Sequence, residues 1–152
     1  MKILMVCLGN ICRSPMADGL LRKKVSDSGL NVVVDSAGTG GYHVGEKPDP
    51  RMRQTARSFG VDIEGLRARK FNQKDFKEFD LIYAMDNINR MNILRLAETE
   101  EDRNKVKLIL NEIEPGKDLD VPDPYFGGEQ GFIDVYKMLD QATDVIIEKL
   151  KK

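Results

Sequence analysis

Ile3-Leu4-Met5-Val6-Cys7-Leu8-Gly9-Asn10-Ile11-Cys12-Arg13-Ser14-Pro15 is the stretch that decides the architecture. Ile3–Val6 is a continuous apolar run, the pattern of a strand buried on both faces. Ser14-Pro15 predicts a helix start, with serine as the cap and proline in the first turn. Between the two, Cys7 and Arg13 stand six residues apart on one short loop. The helix that follows has Leu20, Leu21 and Val25 as an apolar face, and Gly29 fits its stop.

Further along the chain, short apolar runs alternate with longer amphipathic ones. Val32–Val34 predicts a second strand. Asp49-Pro50 repeats the cap-plus-proline signal and opens a helix that stops near Gly60. Residues 73–78 form a candidate short helix, and Leu81–Ala84 a third strand. Asn87–Ala97 predicts a helix with Ile88, Met91 and Leu94 along one side. Val106–Leu110 is the fourth strand, and Phe132–Leu150 a terminal amphipathic helix. Residues 111–131 hold three Pro and four Gly and predict an extended loop. Strands alternating with helices imply an α/β fold with a parallel sheet and helices on both faces, in a single domain over residues 1–152. Ligands in such sheets sit beyond the carboxyl ends of the strands, which is where Cys7 falls.

Composition removes several classes of function. With 41% apolar and 32% charged residues, the chain is that of an ordinary globular protein. A net charge of -1 leaves no broad basic field for nucleic acid or an anionic membrane. The run Ile3–Leu8 is too short to cross a bilayer and has the wrong pattern for a signal peptide. A cytoplasmic location and no membrane insertion are therefore expected. Cys7, Cys12 and the single His43 offer at most three ligands, short of the four a structural zinc site wants. No metal and no cofactor are expected. Two cysteines alone do not make a secreted disulfide framework.

The loop itself carries chemistry. A segment of this length can curl so that successive backbone N–H groups point inward. Closed by a helix N-terminus, it makes an anion-binding nest suited to a phosphate dianion. Gly9 and Asn10 tolerate the positive φ that such a curl needs. Arg13 can grip two phosphate oxygens with its planar fork. The field that binds an anion also stabilises the thiolate form of Cys7, and Ser14 is placed to donate a hydrogen bond to that sulfur. The plain alternative is a small buried cysteine at a strand end. Cys-x5-Arg spacing is weak alone and gains force from the strand before it and the helix start after it.

Val6 through Ala17 resembles the signature of the low molecular weight protein tyrosine phosphatases. Asp35-Ser36-Ala37-Gly38-Thr39 resembles the stretch after that family's second strand, and Asp123-Pro124-Tyr125 its general-acid loop. The three segments occur in matching order over nearly the whole chain. The resemblance implies a four-stranded parallel sheet of order 2-1-3-4 and hydrolysis of phosphotyrosine in protein substrates through a phosphocysteine, by a monomer. By position, Cys7 matches the nucleophile, Arg13 the phosphate-binding arginine and Asp123 the general acid. Leu8, Gly9, Asn10, Ile11 and Cys12 complete the phosphate loop, with Asn10 holding its shape. Ser14 matches the hydroxyl that helps the thiolate leave, and Ser36 a supporting hydroxyl. Tyr42 matches one aromatic wall of the substrate cleft; Tyr125 and Phe126 match the other. Cys12 matches a second loop cysteine that can form a disulfide with the nucleophile. Phe126 departs from members with a second tyrosine there, and Leu66 from members with histidine.

Several residues have simpler readings. Asp86 fits the cap of the helix from Asn87. The cluster Glu98–Asp102 reads as a solvated helix end, and Met85, Met91 and Met138 as core. Pro-Asp-Pro occurs twice, around Asp49 and Asp123. Asp49 precedes an amphipathic run, so capping is its natural task, and Asp49→Asn is expected to cost little in catalysis. Thioredoxin-coupled arsenate reductases have a similar cysteine loop but need further cysteines downstream, which this chain lacks. Protein arginine phosphatases carry threonine where Ile11 stands. A phosphocysteine carrier module would use the loop without needing an acid such as Asp123.

Overall fold

The computed structural model describes residues 1–152. Four parallel strands, β1 (Lys2–Cys7), β2 (Val33–Gly38), β3 (Leu81–Ala84) and β4 (Val106–Leu108), form one sheet in the order β2-β1-β3-β4. Six helices join them: α1 (Arg13–Asp27), α2 (Pro50–Ser58), α3 (Asp75–Glu78), α4 (Asn87–Leu94), α5 (Glu100–Asn104) and α6 (Glu129–Leu150). The expected α/β architecture and strand order hold. No helix is long and apolar enough to cross a membrane.

β1 lies between β2 and β3 and is buried on both sides, so its alternating side chains feed two cores. Ile3, Met5 and Cys7 join the larger core, beneath α1 and α6, with Met16, Leu21, Met52, Phe132 and Leu139. Leu4 and Val6 join the smaller one, with Phe71, Phe76, Ile82 and Ile93. Phe132 is fully buried, and truncating such a ring to alanine costs about 3–5 kcal/mol. This packing fixes the carboxyl end of β1, and with it the position of Cys7.

Several boundaries differ from expectation for identifiable reasons. Helix α1 begins at Arg13, with Cys12 at the cap position and no side-chain cap bond. Ser14 therefore lies inside the helix, and its hydroxyl turns to Cys7. β2 runs to Gly38 because its polar residues Asp35 and Ser36 still pair with β1. β4 stops at Leu108, and the next residues wind into a 3-10 turn, Ile109–Glu112. Helix α4 ends at Leu94 and buries Asn89 and Ile93 instead of the predicted stripe. Ile88 and Met91 are 66% and 53% exposed, so Met91 is not core, whereas Met85 is fully buried. The acidic cluster enters a separate helix, α5, capped by Thr99.

Candidate active site

Everything that distinguishes the loop after β1 follows from how tightly it is folded over the end of β2. Thr39 N–H donates to the Cys7 carbonyl and Gly40 N–H to the Leu8 carbonyl, both at 2.9 Å. A Cβ on Gly38 would stand 2.7 Å from the Leu8 carbonyl oxygen, so the loop can lie here only over a glycine. The left-handed turn of the loop is made by Asn10, at φ 58°, and not by Gly9. Gly9 is small for another reason: a Cβ there would stand 3.1 Å from the His43 ring.

Asn10 is buried and works from both ends. Its amide Nδ2 donates to Ser14 Oγ at 2.8 Å, and its Oδ1 accepts the Arg69 N–H at 3.0 Å. Ser14 Oγ lies 3.0 Å from Cys7 Sγ. A hydroxyl has a single proton to give, and Asn10 already occupies one of its lone pairs. The other polar neighbour, the Ala37 carbonyl, is 3.5 Å away, so a thiolate at Cys7 is the nearer acceptor for the Ser14 proton. Ser36 sits one strand over, near the fully buried Asp18 but beyond full hydrogen-bond reach, and makes no bond to the loop.

Arg13 is the first residue of α1 and only 3% exposed. Its Nη1 donates to Asp86 Oδ2 at 2.6 Å and to the Val121 carbonyl at 2.9 Å; its Nη2 lies 3.7 Å from Asp123 Oδ2. One edge of the guanidinium is thus held from behind while Nη2 faces the cleft. Burial alone would lower the pKa of Arg13, but the Cys7 thiolate, Asp86 and Asp123 hold it above its ordinary value. Asp86 caps α4 through Oδ1, as expected, and uses its second oxygen for Arg13. Cys12 is instead held neutral: burial, then the carboxylate of Asp49, pushes its thiol well up.

The loop and its surroundings enclose a cleft of about 180 Å³. Cys7, Cys12 and Arg13 line its floor, Leu8, Gly9 and Ile11 its side, and Tyr42, His43, Asp123, Tyr125 and Phe126 its mouth. Tyr42 and Phe126 are exposed rim residues, and the Tyr125 and Phe126 rings meet edge-on at 5.0 Å. Asp123 Oδ1 accepts the Tyr125 N–H at 3.0 Å. The structure therefore brings Cys7, Arg13, Asp123 and the three aromatic residues to one place. His43, with Nδ1 2.8 Å from Glu46 Oε2, joins them without having been singled out. Its only sequence signal is that it follows Tyr42. Leu66, by contrast, packs against the larger core.

A thiol hydrogen-bonded to a hydroxyl, beneath a loop closed by a helix N-terminus and a buried arginine, defines a cysteine-dependent phosphatase. The sequence profile of low molecular weight phosphotyrosine protein phosphatases matches residues 2–152. A low molecular weight protein-tyrosine-phosphatase of Streptomyces coelicolor is 42% identical over 99% of this chain and 94% of its own. A protein tyrosine phosphatase of Entamoeba histolytica superposes with a TM-score of 0.92 at 40% identity, covering 99% of this chain and 97% of that one. The YwlE arginine phosphatase, solved with a phosphorylated active-site serine, superposes at 0.89 with 28% identity, covering 100% and 97%. The chain belongs to the low molecular weight phosphotyrosine protein phosphatase family. Its reaction is hydrolysis of phosphotyrosine through a phosphocysteine.

Proposed function

We propose that Cys7 is the nucleophile of this reaction, Arg13 the phosphate clamp and Asp123 the general acid and base. The Cys7 thiolate attacks phosphorus as the bond to the tyrosine oxygen breaks, and Asp123 gives its proton to the departing phenolate. Water then attacks the phosphocysteine, yields a proton to the Asp123 carboxylate and releases phosphate and the thiolate. Charge that gathers on the equatorial oxygens meets the loop N–H groups and Arg13, so no metal is required. Ser14 and Asn10 steady the sulfur and the loop; Ser36, which bonds nothing in the loop, contributes only through the backbone pairing of β2 with β1. Tyr42, Tyr125 and Phe126 hold the aryl ring. The observation that carries this reading is the convergence of Cys7, Arg13 and Asp123 on one cleft.

Ile11 favours phosphotyrosine over phosphoarginine. It lines the cleft with a methyl-bearing surface and offers no hydroxyl to a guanidino group. Both cysteines are free thiols, in keeping with a cytoplasmic monomer that forms one domain over residues 1–152.

The test is kcat/KM across aryl phosphates with leaving groups of graded pKa. Asp123→Asn lowers it by about 10²–10³-fold on phosphotyrosine, with the loss shrinking as the leaving group improves. A uniform loss across the series would remove Asp123 from the role of acid.

A further inference from the structure

The general-acid loop has few visible supports. Val121 is tied to the body by its N–H to the Met85 carbonyl at 2.9 Å and by its carbonyl to Arg13. Pro124 is buried, while Asp123, Tyr125, Phe126 and the two glycines after them are exposed. An acid must nevertheless be held to within a few tenths of an ångström of the oxygen it protonates.

Besides the contacts of Arg13 with Val121 and Asp123, a second set spans the gap between this loop and the nucleophile loop. Asp49 N–H donates to the Ile11 carbonyl at 2.8 Å, which fixes Asp49 to the nucleophile loop. Its Oδ1 accepts the Arg51 N–H at 2.8 Å, the helix cap that the sequence announces. A cap uses one oxygen. Here both are engaged, because the Arg51 side chain returns and grips the carboxylate with Nε at 3.1 Å and Nη2 at 2.9 Å. The carboxylate is only 7% exposed. Burial would raise its pKa, but the Arg51 bonds bring it below the ordinary aspartate value.

The guanidinium so held lies between two aromatic rings, 4.7 Å from the centroid of Phe132 and 5.3 Å from that of Tyr125. Phe132 is fully buried in α6 and packed into the larger core. Tyr125 is the residue whose N–H holds Asp123 Oδ1. Ile11, Asp49, Arg51, Tyr125 and Asp123 thus form one continuous path of contacts between the two halves of the site.

We infer that Arg51, oriented by Asp49, is a positioning residue that seats Tyr125 and thereby the Asp123 carboxyl over the cleft. The inference rests on the assignment of Asp123 as the acid. It revises the expectation that Asp49 is a cap and nothing more, because Asp49→Asn keeps the cap but loses the charge that orients the guanidinium. Lysine cannot replace Arg51, since an ammonium has neither the two-pronged grip nor a flat face for the rings.

The experiment adds Arg51→Met, Arg51→Lys and Asp49→Asn to the leaving-group series, alone and combined with Asp123→Asn. Arg51→Met is expected to lower kcat/KM on phenyl phosphate roughly tenfold more than on an aryl phosphate with an electron-withdrawing leaving group. Arg51→Lys should not rescue it, and Asp49→Asn should show the same trend at smaller size. In the Asp123→Asn background the leaving-group-dependent part should vanish, because no acid remains to be positioned. A loss from Arg51→Met that is equal across leaving groups, or that adds fully to Asp123→Asn, would overturn the inference while leaving the acid assignment standing. A flat series for Asp123→Asn itself would overturn that assignment, and the inference with it.

Discussion

Arg13 Nη1 and Asp86 Oδ2 meet at 2.6 Å, in a pair buried beneath the site. The contact keeps the guanidinium from swinging, so that the group facing the cleft is presented in a fixed plane. Asp86→Ala leaves Arg13 without its back support. It should weaken inhibition by inorganic phosphate and lower kcat/KM by about tenfold or more, and cost about 3 kcal/mol of stability, because a buried charge loses its partner. Competitive inhibition constants and urea unfolding check this. Unchanged phosphate inhibition would show that Arg13 orients itself.

Ser14 Oγ lies 3.0 Å from Cys7 Sγ, placed to donate to the thiolate, with Asn10 Nδ2 donating from the other side. A hydrogen bond to a charged sulfur contributes about 1.5–3 kcal/mol. Ser14→Ala should therefore slow hydrolysis of the phosphocysteine by about 10–100-fold while leaving the fold intact, since alanine suits a helix interior. The phosphoenzyme then accumulates, and a burst of phenol precedes a slowed steady state. A steady-state rate equal to the parent's, with no accumulated phosphoenzyme, would show that the contact has no part in the thiolate's departure.

Asp18 gives a stability prediction with a defined sign. It is fully buried on α1, with Arg22 on Oδ1 and no partner on Oδ2. Burial raises its pKa to about 6, against 3.8 for a free aspartate. The folded state therefore favours the protonated form. Its stabilising contribution is complete below pH ~4 and is lost as the pH rises through about 6, a change of about 2–3 kcal/mol. Asp18→Asn should be more stable than the parent by about 1–2 kcal/mol at pH 8 and show no such gain at pH 4. Urea unfolding at the two pH values decides it, and an equal difference at both would contradict the account.

Much of this was legible in the sequence because it rests on local signals. The apolar run at Ile3–Val6 becomes β1, Asp49-Pro50 caps and opens α2, and Asp86 caps α4. The Cys7–Arg13 spacing and the Asp123 loop converge on one cleft. What stayed hidden depends on which way a side chain turns. Ser14 looks like a cap in sequence, but the helix starts two residues earlier than that cap implies and frees its hydroxyl for the sulfur. Ile88 and Met91 have helical spacing, yet α4 is short and turns them outward, leaving Ile93 to reach the core. Asp86 and Arg51 act through partners 73 and 74 positions away, Arg13 and Tyr125, which no periodicity links. Gly38 is required by the Leu8 carbonyl, in the loop after β1, which only the folded chain brings near.

Cys7 as the carrier of the phosphoryl group between substrate and water is tested by acid-quenching the enzyme within its first turnover of ³²P-labelled aryl phosphate and mapping the labelled peptide. One label is expected on the peptide containing Cys7, linked through sulfur, that forms as the phenol is released and decays as free phosphate appears. Cys7→Ser should bind vanadate without turning over. Label on any other residue, or sustained turnover by Cys7→Ser, would contradict that role.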